Sequence, residues 1–271
     1  MAKGHAHRWR VAPGAKAHLG QVDTRTTAGA PGDKAETEAA TADLAAELAG
    51  LQERLYAEAR QSLLVVLQAI DAGGKDGTIR SVFRGLNPAS CRVASFKVPS
   101  EEERSHDFLW RVHAKTPAAG EVVVFNRSHY EDVLVVRVHE LVPEAVWRPR
   151  YDLINGFEAN LAAAGTRIVK LFLHISKDEQ AERFQDRLDD PAKRWKFRKG
   201  DLEERARWDD YMAAFEEALS RTSTEAAPWY VVPADRNWYR NWAVSRILVE
   251  TLQDMDPNYP PAEDLAGVVI T

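Results

Sequence analysis

Cysteine occurs once in 271 residues, at Cys91. No intrachain disulfide and no cysteine-based metal site can be built from it, which suits a reducing compartment such as the cytoplasm. There is no run of 18 apolar residues, so no membrane span is expected. The basic N-terminus, residues 1–10, has no apolar stretch behind it and does not read as a secretory signal. No internal repeat and no Pro/Ser-rich linker interrupts the chain. The net charge of −5 argues against a general nucleic-acid coat. What is present is 45% hydrophobic and 28% charged residues, enough for one sizeable core.

Five short β-rich segments alternate with helical patterns. Residues 62–70 (SLLVVLQAI) are continuously apolar, as a strand buried on both faces would be. Residues 92–98, 121–125, 167–175 and 229–233 read as further strands. Between and around them, helices are expected at 35–60, 78–86, from 100 to beyond 107, at 143–163, 176–188, 202–219 and 236–252. Ser100 with Glu103, and Ser176 with Glu179, have capping-box spacing. This alternation predicts one α/β domain with a parallel sheet of about five strands over residues 35–256. Residues 1–34 read as an extended arm that wraps a neighbour or stays partly loose, and 257–271 as a surface tail.

Three stretches carry chemistry. The first runs from Asp71 to Thr78 (DAGGKDGT), after a buried strand and before a helix. There Gly73, Gly74 and Gly77 let backbone amides turn toward phosphate oxygens, with a helix N-terminus adding positive charge. Lys75 would reach over the phosphates, and Asp71 would bind a metal ion or orient a phosphate oxygen. Against the strict phosphate-loop pattern, Ala69 replaces the first glycine and Asp76 the hydroxyl residue. A plain glycine turn is the alternative. The second stretch, 125–133 (FNRSHYEDV), puts Asn126, Arg127, Ser128 and Tyr130 where a parallel strand ends. His129 reads either as a structural histidine or as a catalytic one. Glu131 and Asp132 read as helix-start charges or as site groups. In the third, residues 183–199, Arg183, Arg187, Lys193, Arg194, Lys196, Arg198 and Lys199 outnumber Asp186, Asp189 and Asp190. Trp195 and Phe197 would pin this segment while its cations project as a lid over an anion, at about 183–205. A solvated helix face is the other reading.

DAGGKDGT, FNRSHYEDV, RLDDPAKRWKF (187–197) and APWYVVPADRNWYRNW (227–242) together resemble the polyphosphate kinase 2 family, in its order and spacing over roughly residues 50–250. The resemblance implies a P-loop kinase fold of thymidylate-kinase type, a three-layer sandwich with a helical lid. It implies reversible, Mg2+-dependent transfer (Mn2+ as a substitute) of phosphate from inorganic polyphosphate to AMP or ADP. Asp71, Lys75 and Arg127 would be catalytic, with Asp71 the metal ligand. Polyphosphate would meet Gly73, Gly74, Lys75, Asp76, Gly77, Thr78, Arg80, Arg183, Arg187, Lys193, Arg194 and Lys196. The nucleotide would meet Asn126, Arg127, Ser128 and Tyr130. The family's second motif often carries Asp-Arg-Ser-Trp-Tyr. Asn126 removes that carboxylate, which is similar to the subgroup that phosphorylates AMP as well as ADP. Members commonly form homo-oligomers, dimers or tetramers; no nucleic-acid or membrane partner is implied. Two alternatives compete: an ATP-dependent small-molecule kinase of the same fold, and a non-catalytic polyphosphate- or nucleotide-binding module.

Overall fold

Every residue of the first apolar run is buried once it forms β1 (Ser62–Gln68), as a strand covered on both faces requires. The computed structural model describes residues 5–264. Its other strands are β2 (Cys91–Ser95), β3 (Val122–Asn126), β4 (Thr166–His174) and β5 (Trp229–Pro233). All pair in parallel, in the order β2-β3-β1-β4-β5. β1 therefore lies at the centre, and the chain moves to one side after β1 and to the other after β3. That reversal opens a crevice beyond the C-terminal ends of β1 and β3, where α/β sheets bind ligands.

Among the described residues the six helices of eight residues or more are α1 (Lys34–Glu58), α2 (Lys75–Val82), α3 (Arg150–Ala163), α4 (Lys177–Asp189), α5 (Trp208–Thr222) and α6 (Asn237–Met255). α6 packs along α1 and against α2, while α3 packs against α5, so helices flank the sheet. Leu44, Leu48, Leu51 and Leu55 turn the buried stripe of α1 inward. Its start is fixed by a full capping box between Asp33 and Glu36. No helix among the described residues is long and apolar enough to cross a membrane.

Four expectations change. The helix expected at 143–163 is two, Glu144–Trp147 and α3, because Pro149 cannot donate the N–H that a continuous helix needs. The one expected at 202–219 breaks at Arg207, which leaves a separate Gly200–Ala206 before α5 and sends its guanidinium to the Val138 carbonyl (2.9 Å). The Ser100–Glu103 box forms in both directions, yet its helix is only Glu101–Ser105. The Asp107 carboxylate takes the Leu109 N–H (2.9 Å) and starts a new turn. At Ser176 half a box forms: its hydroxyl accepts from Glu179 N, but the Glu179 carboxylate serves Arg183 instead.

The N-terminal arm wraps its own domain. Trp9 is buried beside Tyr239 and Trp242. Arg10 bridges Tyr230 on the open edge of β5. Leu19 is buried, and its N–H donates to Glu216 (2.7 Å). Pro257 is buried and residues 258–264 are exposed.

Candidate active site

β1 delivers the chain to a loop at 69–74, and α2 takes it up at Lys75. Gly73 has no room for a side chain: a Cβ would sit 2.5 Å from Ala69 Cβ and 2.8 Å from the Ile70 carbonyl oxygen. Gly74 caps α2 at φ +98°, a left-handed conformation that favours glycine. The loop is then fastened from α4. Gln180 Nε2 donates to Asp71 O and Arg183 Nη1 to Ala72 O, both at 2.9 Å. Lys75 Nζ donates to Ala69 O (2.7 Å), inside the loop. Burial draws its pKa below the ordinary lysine value, against an opposing pull from Asp71. Thr78 is fully buried and its hydroxyl donates to Gly74 O (3.1 Å), so it faces the helix and not the crevice.

The second motif meets the first here. Asn126 Nδ2 donates to Asp76 Oδ1 (2.9 Å). Arg127 takes a left-handed backbone (φ +63°), an uncommon setting for a residue with a side chain. Its Nη2 donates to Asp71 Oδ1 (3.1 Å), and Nη1 lies 3.5 Å from Glu131 Oε2. Glu131 is buried enough that its carboxyl pKa is raised, with Arg127 and Lys75 opposing the shift.

Ser128 and Tyr130, expected at the nucleotide, do not reach the crevice. After Asn126 the chain tightens into a short 3-10 turn, His129–Asp132, that points both side chains inward. Ser128 Oγ accepts from Gln68 Nε2 (3.1 Å). The Tyr130 hydroxyl donates to Glu158 (2.9 Å) and accepts from Lys170 Nζ (2.9 Å). His129 is also buried, with Nε2 3.2 Å from Glu158 Oε1, which favours its structural reading. Asp132 pairs with Arg150 at 3.0 Å.

The crevice is a cleft of about 630 Å³ between the glycine loop and the basic segment. Arg80, Arg187, Lys193, Lys196 and Arg198 line it together with Asp71, Asn126 and Arg127. Two expected cations are elsewhere. Arg183 spends its donors on the carbonyls of Ala72, Ala234 and Asp235 and on Glu179, clamping the loop to the end of β5. Arg194 Nε donates to Leu188 O (2.6 Å), at the end of α4. Phe197 does pin the segment, ring-edge to Phe184. Trp195 does not; it is 75% exposed on the cleft rim. A second, smaller cavity of about 220 Å³ also has Asp71 and Arg127 in its wall, with Glu131, Glu204, Tyr211 and Leu134 beyond them.

The family model described as Polyphosphate kinase 2 matches residues 32–260. The chain is 57% identical over 263 residues to the AMP/ADP-polyphosphate phosphotransferase of Meiothermus ruber, covering 97% of this chain and 98% of that one. The chain belongs to the polyphosphate kinase 2 family. A second relative, the ADP-polyphosphate phosphotransferase of Rhodopseudomonas palustris, is 51% identical, with 79% of this chain and 78% of that one covered. The crystal structure of polyphosphate kinase 2 from Arthrobacter aurescens matches with a TM-score of 0.93 at 47% identity, over 97% of this chain and 93% of that one. The P-loop kinase fold expected from the motifs is the fold observed.

For a polyphosphate kinase 2 the cation question is one of donor chemistry. Among the described residues no group of three or more His, Cys, Asp or Glu is placed to hold a metal ion. Asp71, half-exposed and in the wall of both cavities, fits another arrangement. Mg2+ at phosphoryl-transfer sites takes one or two carboxylates and completes its shell with substrate phosphates and water. Sequence reasoning placed Arg198 in the lid but not at the phosphates, and it missed Glu204 and Tyr211. Arg198 was findable from its place in the cationic run. The other two depend on which loop each helix packs against.

Proposed function

We propose that this protein transfers a phosphoryl group from inorganic polyphosphate to AMP or ADP. The observation that carries the reading is the Asp71–Arg127 pair, held at 3.1 Å in the common wall of a cation-lined cleft and a second cavity. The polyphosphate end lies in the cationic cleft. The nucleoside lies in the smaller cavity, where Glu131, Glu204 and Tyr211 offer hydrogen-bonding groups and Leu134 an apolar surface. The reacting phosphates then meet at the shared pair.

A terminal phosphate oxygen of the nucleotide attacks the terminal phosphorus of the chain. The new P–O bond forms as the bond to the next bridging oxygen breaks, and the polyphosphate leaves one unit shorter. No covalent enzyme intermediate is needed. Arg127 and Lys75 offset charge on the transferring group, with Lys75 exchanging the Ala69 carbonyl for a phosphate oxygen. Lys193, Lys196 and Arg198 hold the chain and, with the lid, exclude water. Mg2+, held by Asp71 and the substrate phosphates (Mn2+ as a substitute), would supply further charge neutralisation. The relatives act by their names on polyphosphate with AMP or ADP, which supports both acceptors. The reading includes a cytoplasmic setting and a homo-oligomer. A solution mass of one chain by light scattering would oppose the homo-oligomer.

The deciding experiment mixes the protein with Mg2+, long-chain polyphosphate and either AMP or ADP, without ATP. ADP formed from AMP, and ATP from ADP, is the expected result. Product from ADP alone would remove AMP as an acceptor. No product from either, with turnover only when ATP is supplied beside another acceptor, would move the function to an ATP-dependent kinase.

A further inference from the structure

Arg240, on the first turn of α6, is only 3% exposed. Among the described residues no carboxylate pairs with it. Its three hydrogen bonds go to amide oxygens: Nη1 to Asn237 Oδ1 (2.7 Å), Nη2 to Asn241 Oδ1 (2.8 Å) and Nε to the same Asn241 oxygen (3.2 Å). A guanidinium has five N–H groups, so two remain without an acceptor. Burial pulls its pKa down to about 10, and the only other contributor is a second cation, Arg183. A buried charge without a counter-charge is costly and is normally paired.

The place of this charge is specific. A Cβ on Gly74 would overlap Arg240 Nη1, and one on Gly77 would lie 3.3 Å from Nη2. The guanidinium therefore sits against the backbone of the glycine loop, and both glycines are what admit it. The N-terminus of α2 adds its own partial positive charge at the same point. Arg240 and the helix end thus meet at one spot beside Arg183, whose own charge is paired with Glu179, and Arg240 is left without a carboxylate. The other face of that loop is the floor of the phosphate cleft.

We propose that Arg240 is a phosphate-positioning residue: it charges the glycine loop from behind, and its missing counter-charge is the phosphoanhydride chain that occupies the loop. The inference rests on the proposed polyphosphate site. In the unliganded protein the convergence is a liability, and a bound phosphate chain relieves it, so fold stability is traded for ligand affinity.

The test uses the full chain, with inorganic tripolyphosphate as probe and two readouts, Tm without ligand and Kd by calorimetry. Asn241→Asp leaves Arg240 in place and hands it a carboxylate where the amide oxygen already accepts two of its N–H groups. It should raise the unliganded Tm and weaken tripolyphosphate binding on the order of tenfold, from the charge it cancels. Arg240→Met should weaken binding to a similar degree, and Arg240→Lys should restore most of it. A purely structural Arg240 would leave the affinity of folded Asn241→Asp unchanged, and that result overturns the proposal whatever happens to Arg240→Met. Parental protein that fails to bind tripolyphosphate overturns the site itself, and the proposal with it.

Discussion

Burial draws the Lys75 ammonium toward its neutral form, while Asp71, close by, pulls the other way. The net direction is downward, and the sign has two consequences. In the folded, unliganded protein Lys75 loses its proton at a lower pH than a free lysine, whose pKa is about 10.4. Below that lowered pKa the charged side chain weighs against the fold, and the penalty fades as pH rises into the ordinary lysine range. Catalysis runs the opposite way, because the charged form is the one that offsets phosphate. The kcat/KM profile reports the free enzyme. Its alkaline limb should therefore fall below the ordinary lysine value, while the kcat limb lies higher because bound phosphate favours the ammonium. Lys75→Met should lose on the order of 10²–10³ in kcat. A kcat/KM that stays flat through the lysine range, or a Met variant as active as the parent, would show that Lys75 does not act as a charge at the phosphates.

Behind the second motif, strands and helices are joined by a buried polar cluster. Lys170 on β4 is fully buried, 2.5 Å from Glu158 on α3 and 2.6 Å from the Thr222 carbonyl at the end of α5. Tyr130 and His129 close the cluster from the turn after β3. Its part in catalysis is indirect: it fixes the turn that aims Arg127 at Asp71. Removing one member leaves a buried charge alone, so Lys170→Met should cost about 3–5 kcal/mol in urea unfolding. Pairing it with Glu158→Leu should recover much of that loss. Equal destabilisation of the single and double variants would deny that the pair is coupled. The cluster also marks where sequence stops being legible. Strand existence was readable because the inner parallel strands are largely apolar runs, while the partly exposed edge strand β2 showed only as a β-rich segment; all five fall within a residue or so of their expected starts. Strand order was not, since β1 pairs with β3 and β4 through contacts that no local pattern encodes. The glycine loop and Arg127 were readable from residue type at a strand end. Ser128 and Tyr130 were misplaced because a tight turn reversed which side chains face the crevice, and Arg183 because its carbonyl partners come from distant segments.

At the scale of the whole molecule, the arm and the charge distribution set how the protein behaves in solution. The arm covers the β5 edge and latches its end: Thr24 donates to Asp235, whose other carboxylate oxygen accepts from Ser176 N at the start of α4. Trp9 anchors it, so Trp9→Ala should cost about 3–5 kcal/mol, read as a fall in Tm; an unchanged Tm would mean the arm is held by its polar contacts alone. Charge acts over longer distances. The chain carries −5 overall, whereas the cleft is lined by cations that attract a polyanion. There Lys193 and Arg198 are exposed, while Lys75 and Arg127 sit deeper. At 0.15 M ionic strength screening acts over about 8 Å and weakens exposed charges far more than buried ones. KM for long-chain polyphosphate should therefore climb with added salt while kcat changes little. Lys193→Glu with Arg198→Glu should raise KM at low salt and flatten its salt dependence. If kcat falls with salt as KM climbs, the rim cations take part in transfer itself as well as in capturing the chain.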